Sequence, residues 1–246
     1  VTDFTHQNLA GSRFEDVSLR GAVFRGVDLR DVKVRGAWLN NVDVDGEVDV
    51  FRVNGVDVVP YVEAELDRRY PDRSKMRPAD AAGFREAWAA LDRLWGETIA
   101  RARTLDPALL HEPVDGEWSV IENLRHLVFA TDSWILRAIQ GDPAPYHPLG
   151  LPHDEMDDTP GVPRDRDARP SLDEVLAIRA DRMATVRNLL ADLTDERLAG
   201  MTTPVTEPGY PESIAFPVRE VLLSILNEEW LHRLYVETEL DVLSGG

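Results

Sequence analysis

Glu228 and His232 stand four residues apart in the run Asn227-Glu-Glu-Trp-Leu-His232. If that run is helical, the two side chains share one face and reach either a single ion or each other. Val221, Ile225, Tyr235 and Val236 lie along the same face, so an acid and an imidazole interrupt an apolar stripe. A carboxylate on such a stripe requires a partner, because an unpaired buried charge is costly. A metal ion is one partner, an ion pair within the helix is another, and a helix rotated to turn both groups to water is the third arrangement. His126 supplies a second imidazole, at the edge of the apolar stripe in Glu122-Asn-Leu-Arg-His126-Leu-Val, where a hydrogen-bonded boundary histidine fits as well. Two helices that present a histidine and a Glu-His pair inward form a metal site of the kind bundle cores use. Ser133, two turns beyond His126, is a candidate cavity-lining residue, as are His111 and Tyr235.

The other histidines carry less chemistry. His147 and His153 lie near Asp154, Glu155, Asp157 and Asp158, which reads as a second ion site, a lid or a solvated acidic loop. His6 is expected to face water, and Trp118, Trp134 and Trp230 to serve as core or interface aromatics. The chain has no G-x-S-x-G, no phosphate-cradling glycine loop and no H-E-x-x-H, so serine-hydrolase, kinase and dinucleotide-binding readings have no support.

Four helices must position these residues. Phe84, Trp88, Leu91, Trp95 and Ile99 recur at helical spacing between Pro78 and about Thr104. Ser119-Val-Ile-Glu122 is a capping box that opens a second helix running to Gln140, and Ser171-Leu-Asp-Glu174 opens a third towards Leu193. A fourth runs from Pro217 to Leu240. Residues 141–170 between the second and third helices are rich in Pro, Asp and Gly. Such a connector is long enough to return along the bundle and set those two helices parallel. A loop of that length is usually a lid, a binding loop or disordered.

The N-terminal region follows another rule. Phe4, Leu9, Phe14, Leu19, Phe24, Leu29, Val34, Leu39 and Val44 are spaced by five, which fits neither helix nor strand. The chain is expected to turn once per five residues, one large and one small side chain pointing inward, with Gly11, Gly21, Gly26 and Gly36 at tight corners. Domains are therefore expected at 1–50 (repeat), 51–76 (a connector with one short helix begun at Pro60 and stopped at Tyr70-Pro71) and 77–246 (bundle).

Twenty-seven Lys and Arg against 45 Asp and Glu give a net charge of −18, which disfavours a nucleic-acid partner. No apolar run reaches the length of a membrane helix and residues 1–30 do not resemble a signal peptide, so a cytoplasmic protein without a membrane partner is expected. The absence of cysteine excludes disulfides, thiolate ligands and a cysteine nucleophile; any reacting thiol must come from outside.

Two resemblances follow from these motifs. The five-residue period over residues 2–46 resembles the pentapeptide-repeat family, which implies a short right-handed four-sided β-helix of about two coils, its end covered by the rest of the protein or by a second copy in a homodimer. Some long members of that family imitate DNA with an acidic surface. Residues 1–50 hold nine acids and six bases, which speaks for a capping or assembly module instead. Over residues 77–240, Gly116-Glu-Trp118-Ser119-Val-Ile-Glu122-Asn-Leu-Arg-His126-Leu, the placement of the crossover and Asn227-Glu228-Glu-Trp-Leu-His232 resemble the DinB-like metal-binding four-helix bundles. Within them the chain is most similar to the mycothiol-dependent maleylpyruvate isomerase bundle. The resemblance implies His126, Glu228 and His232 as metal ligands, with a fourth position open to water or thiol. It suits zinc first, then nickel, manganese or iron. It further implies an enzyme of thiol-transfer chemistry, a transferase or related detoxification enzyme with an external thiol such as mycothiol as nucleophile and a small electrophile as substrate. The chain ends soon after its last helix and lacks the isomerase's further domain, so maleylpyruvate isomerisation does not carry over. The alternative is a non-catalytic metal-binding stress-response or interaction protein assembled through the repeats. Because ligating imidazoles must be neutral, metal affinity is expected to fall as pH drops towards about 6.5 and below.

Overall fold

A computed structural model describes residues 3–44, 46, 48–154 and 156–245. The chain divides into two compact units, Val1–Val48 and Asp49–Gly246.

In the first unit the backbone repeats with the sequence. His6, Gly11, Asp16, Gly21, Gly26, Asp31, Gly36, Asn41 and Gly46, every fifth residue, have positive φ. The turns Leu9–Ser12, Leu19–Ala22 and Leu29–Val32 close with N–H to C=O bonds of 3.0, 3.0 and 3.3 Å. Their third residues are Gly11, Gly21 and Asp31, where a left-handed dihedral is required and glycine adopts it without steric cost. Side chains reinforce the corners: Asn8 Oδ1 accepts from the Ala10 amide and Asp28 Oδ1 from that of Arg30, both at 3.0 Å. The expected corners are thus present. Among the described residues of this unit there is no strand, and Phe4, Phe14 and Phe24 are 61, 59 and 60% exposed rather than packed inward.

The second unit opens with a hairpin, β1 (Arg52–Val53) against β2 (Val56–Asp57), around Asn54-Gly55, both at positive φ. Six α-helices follow among the described residues: α1 (Val59–Arg69), α2 (Ala81–Ala102), α3 (Val120–Thr131), α4 (Leu172–Ala191), α5 (Asp195–Leu198) and α6 (Val218–Leu243). Pro60 lies in the first turn of α1, as the sequence suggests. Helix α2 starts at Ala81 and not at Pro78, because the Asp80 side chain accepts from the Gly83 amide and so defines the cap. Both capping boxes form, Ser119 with Glu122 and Ser171 with Glu174. The expected single helix from Ser119 to Gln140 is α3 followed by a π-helical stretch, Asp132–Ile139.

The four longest helices enclose the core, with α2 and α3 each touching both α4 and α6. One apolar cluster joins Phe84, Trp88 and Leu91 of α2, Val186 and Leu190 of α4 and Leu222, Ile225 and Trp230 of α6, reaching Ile135 beyond α3. The other joins Trp95 and Ala102 of α2, Ile121 and Leu124 of α3, Val175 of α4 and Val236 and Leu240 of α6. Hence α3 and α4 run in one direction and α2 and α6 in the other, and residues 141–170 return along the bundle as expected. No helix is long and apolar enough to cross a membrane among the described residues.

Two buried arginines fasten the long loops. Arg125 donates to the carbonyls of Leu149 (2.9 Å), Ala168 (3.2 Å) and Asp165. Arg137 donates to those of Pro143 (3.2 Å), Val205 (3.3 Å), Pro211 (3.4 Å) and Glu207. A planar guanidinium with several donors suits this task, since converging loops present chiefly carbonyl oxygens. Gly209 passes so close that a Cβ there would lie 2.5 Å from Tyr146 Oη and 2.8 Å from Arg137 Cζ.

Candidate metal centre

His126 sits on α3 two turns after its cap, and Glu228 and His232 lie on the facing side of α6. Their candidate ligand atoms all fall within 4.8 Å of one another, and this is the one such group among the described residues. Glu228 Oε2 lies 3.3 Å from His126 Nε2 and 3.2 Å from His232 Nε2. The outer ring nitrogens are engaged too. His126 Nδ1 lies 2.9 Å from the Leu151 carbonyl, and His232 Nδ1 lies 2.7 Å from Asn123 Oδ1. Leu151 belongs to the crossover, and its own amide bonds the Arg125 carbonyl at 3.2 Å, so the loop docks on α3 at the histidine.

Electrostatics favour an ionised Glu228 beside a neutral His232. Burial pushes the Glu228 carboxyl up, but the hydrogen bonds that His126 and His232 give it whenever their Nε2 atoms carry a proton, with the charge of a protonated ring, outweigh it and hold the group well below the usual carboxylate range. Burial pushes His232 down, more strongly than Glu228 pulls it up, and so keeps that imidazole neutral. Trp118 lies over both rings, with centroids 5.0 Å from His126 and 6.1 Å from His232. Its Nε1 donates to Asp154 of the crossover at 3.3 Å. Phe129 and Tyr235 flank the site, at 6.0 Å from the His126 ring and 5.5 Å from the His232 ring.

Of the candidate lining residues, Tyr235 therefore borders the cluster. Ser133 is fully buried in the π-helical stretch, its hydroxyl without a hydrogen-bond partner among the described residues. His111 lies in a short turn before α3, where burial and then Arg169 push its pKa down; it is not part of the cluster. In the crossover, His147 Nδ1 accepts from the Leu149 amide, and the His153 ring is 5.8 Å from Tyr210. Asp154, Asp157 and Asp158 are exposed, and Glu155 lies outside the described residues. His6 is exposed, as expected.

Sequence reasoning missed Trp118, Asn123 and Leu151 as parts of the site. It also passed over Glu239, a buried carboxyl that accepts from Asn123 Nδ2 at 2.9 Å. Burial raises this carboxyl from 4.5 to about 8, against the pull of Asn123. Below pH 4.5 it is protonated in folded and unfolded chains alike. Between 4.5 and about 8 only the folded chain keeps the proton, so stability falls as pH rises. Urea unfolding of metal-free protein is expected to show Glu239→Gln gaining on wild type by about 1.4 kcal/mol per pH unit across that window, then levelling off. A constant difference across it would show that Glu239 ionises normally.

A helical unit with two imidazoles around one carboxylate can hold a metal ion. Residues 90–236 match the DinB superfamily, and the chain belongs to that family. Residues 2–46 match eight copies of the pentapeptide repeat. No curated protein and no solved structure matches the chain.

Proposed function

We propose that His126, Glu228 and His232 hold one divalent ion, zinc in the first place, in an enzyme that uses a low-molecular-weight thiol such as mycothiol as its nucleophile. One observation carries the metal reading: three electron-rich atoms face one another, and as long as the rings are neutral no proton lies between them. Each ring spends its proton on its outer side, His126 on the Leu151 carbonyl and His232 on the Asn123 amide oxygen. Both Nε2 lone pairs then point at the same carboxylate oxygen, at 3.3 and 3.2 Å. Without a cation those contacts repel, a proton on one ring relieves only one of them, and protonating both rings would bury two cations against one anion. A divalent ion satisfies all three atoms, and the donor set suits zinc.

An ion held there supplies a Lewis acid that lowers the pKa of a thiol or water at the remaining position. The chain's own residues hold and orient. The Leu151 carbonyl and Asn123 fix the rings, and Trp118 keeps water from their outer faces. Membership in the DinB superfamily supports metal binding. The thiol rests on the absence of cysteine and on the likeness to the isomerase bundle.

Elemental analysis of untagged protein beside His232→Ala tests the metal, followed by thiol consumption in the presence of electrophiles. One ion per chain in the wild type and almost none in the variant is the expected result. No ion after incubation with zinc, nickel or manganese would overturn it, and an ion without thiol turnover would leave a metal-binding protein that is not this enzyme. A second reading, a non-catalytic interaction protein, is favoured by the exposed side chains of the repeats. On it the repeats close into a short β-helix when a second copy covers them, and light scattering that shows a monomer would count against it.

A further inference from the structure

We propose that Asn123 is a positioning residue that fixes which nitrogen of His232 faces the metal, and that Glu239 ties Asn123 to α6 beside the ligands. This rests on the metal reading above. The argument is one of donors and acceptors. Asn123 Nδ2 lies 3.2 Å from the Trp118 carbonyl, 3.2 Å from the Ser119 carbonyl and 2.9 Å from Glu239 Oε1. Reversing the amide would set its oxygen against two backbone carbonyls, which only accept, so Nδ2 must face them and Oδ1 must face His232. An amide oxygen only accepts, and His232 Nδ1, 2.7 Å away, therefore carries the proton. The lone pair is left on Nε2, the atom beside Glu228.

Glu239 does more than the two carbonyls, because it approaches from α6 itself. Asn123 on α3 thus bonds α6 twice, through Glu239 and through His232. The two bonds set the spacing of the helices at the ligands as well as the tautomer. Neither role is served on the His126 side by a side chain; there a backbone carbonyl does the work. Groups that orient a ligating imidazole through its second nitrogen generally change metal affinity by about 10–100-fold when removed.

The test pairs two readouts on the full chain. Nitrogen-15 NMR of the imidazoles in metal-free protein is expected to show His232 protonated at Nδ1 in the wild type and in Glu239→Gln, whose amide oxygen still accepts from Asn123. In Asn123→Ala the proton is expected to shift largely to Nε2, and zinc affinity, measured by competition with a chromophoric chelator, to fall about 10–100-fold. Should that variant fold poorly, the double change Asn123→Leu with Glu239→Leu removes both polar partners together and is expected to give the same two results. An unchanged tautomer and unchanged zinc affinity in a folded variant would overturn the inference while leaving the metal site standing. If the wild type binds no zinc, the metal reading fails, and the tautomer measurement still decides the role of Asn123.

Discussion

Glu228→Gln is expected to lose zinc by more than the roughly 10–100-fold that removal of an outer partner costs. Glu228 is the only anion in the cluster, and its Oε2 is the atom both Nε2 nitrogens approach. The amide that replaces it brings no charge, and in one orientation turns its N–H groups towards the ligand atoms. Far-ultraviolet circular dichroism of the metal-free variant checks that its helices remain. Chelator competition near neutral pH measures the effect. Equal affinities in variant and wild type would show that the carboxylate is not a ligand.

Arg179→Met is expected to cost about 3–5 kcal/mol of folding stability. Arg179 on α4 makes two bonds, 2.9 and 2.8 Å, to Glu229 on α6, and the two side chains are only 3 and 1% exposed. The guanidinium also lies 4.9 Å over the Trp95 ring. Removing the cation strands a buried carboxylate, which is the expensive half of such a pair. Replacing Glu229 by Met as well should recover most of the loss, because an apolar pair of similar volume removes the stranded charge. Urea unfolding of the two single variants and the double variant measures this cycle. A single variant within 1 kcal/mol of the wild type, on the order of a surface change, would mean that water reaches Glu229. Glu229 and Glu228 are adjacent in sequence but face α4 and α3 respectively, so stability and metal binding should be separable between them.

How much of this was legible follows from the range of each interaction. Both capping boxes were readable because a Ser and a Glu three residues apart complete them without outside help. Glu228 and His232 were readable as a pair for the same reason, and His126 because an imidazole in an apolar stretch needs a partner. The Leu151 carbonyl was not readable, since a backbone acceptor has no residue type to betray it. Nor was the Asn123–Glu239 contact, which joins residues 116 apart in the chain. The start of α2 was misjudged because Pro78 and Asp80 both suit a helix start, and the side-chain bond of Asp80 decides between them. Inward packing of Phe4, Phe14 and Phe24 was inferred from spacing alone. Spacing says which residues are equivalent, not whether anything covers them.

The left-handed corners of the repeat have a consequence for how its length can change. At Gly11, Gly21, Gly36 and Gly46 nothing lies within 4 Å of where a Cβ would stand, so these corners select on dihedral angle and not on space. Loss or gain of five residues keeps the array in phase and alters only its length. Loss of a single residue after His6 would slide Val17, Val27, Val32 and Val42 into the corner positions now held by Asp16, Gly26, Asp31 and Asn41. β-branched residues are strongly disfavoured at positive φ, so four of the eight later corners would resist at once. The module thus carries a five-residue reading frame of its own, tolerant of whole-unit changes and closed to frameshifts within it.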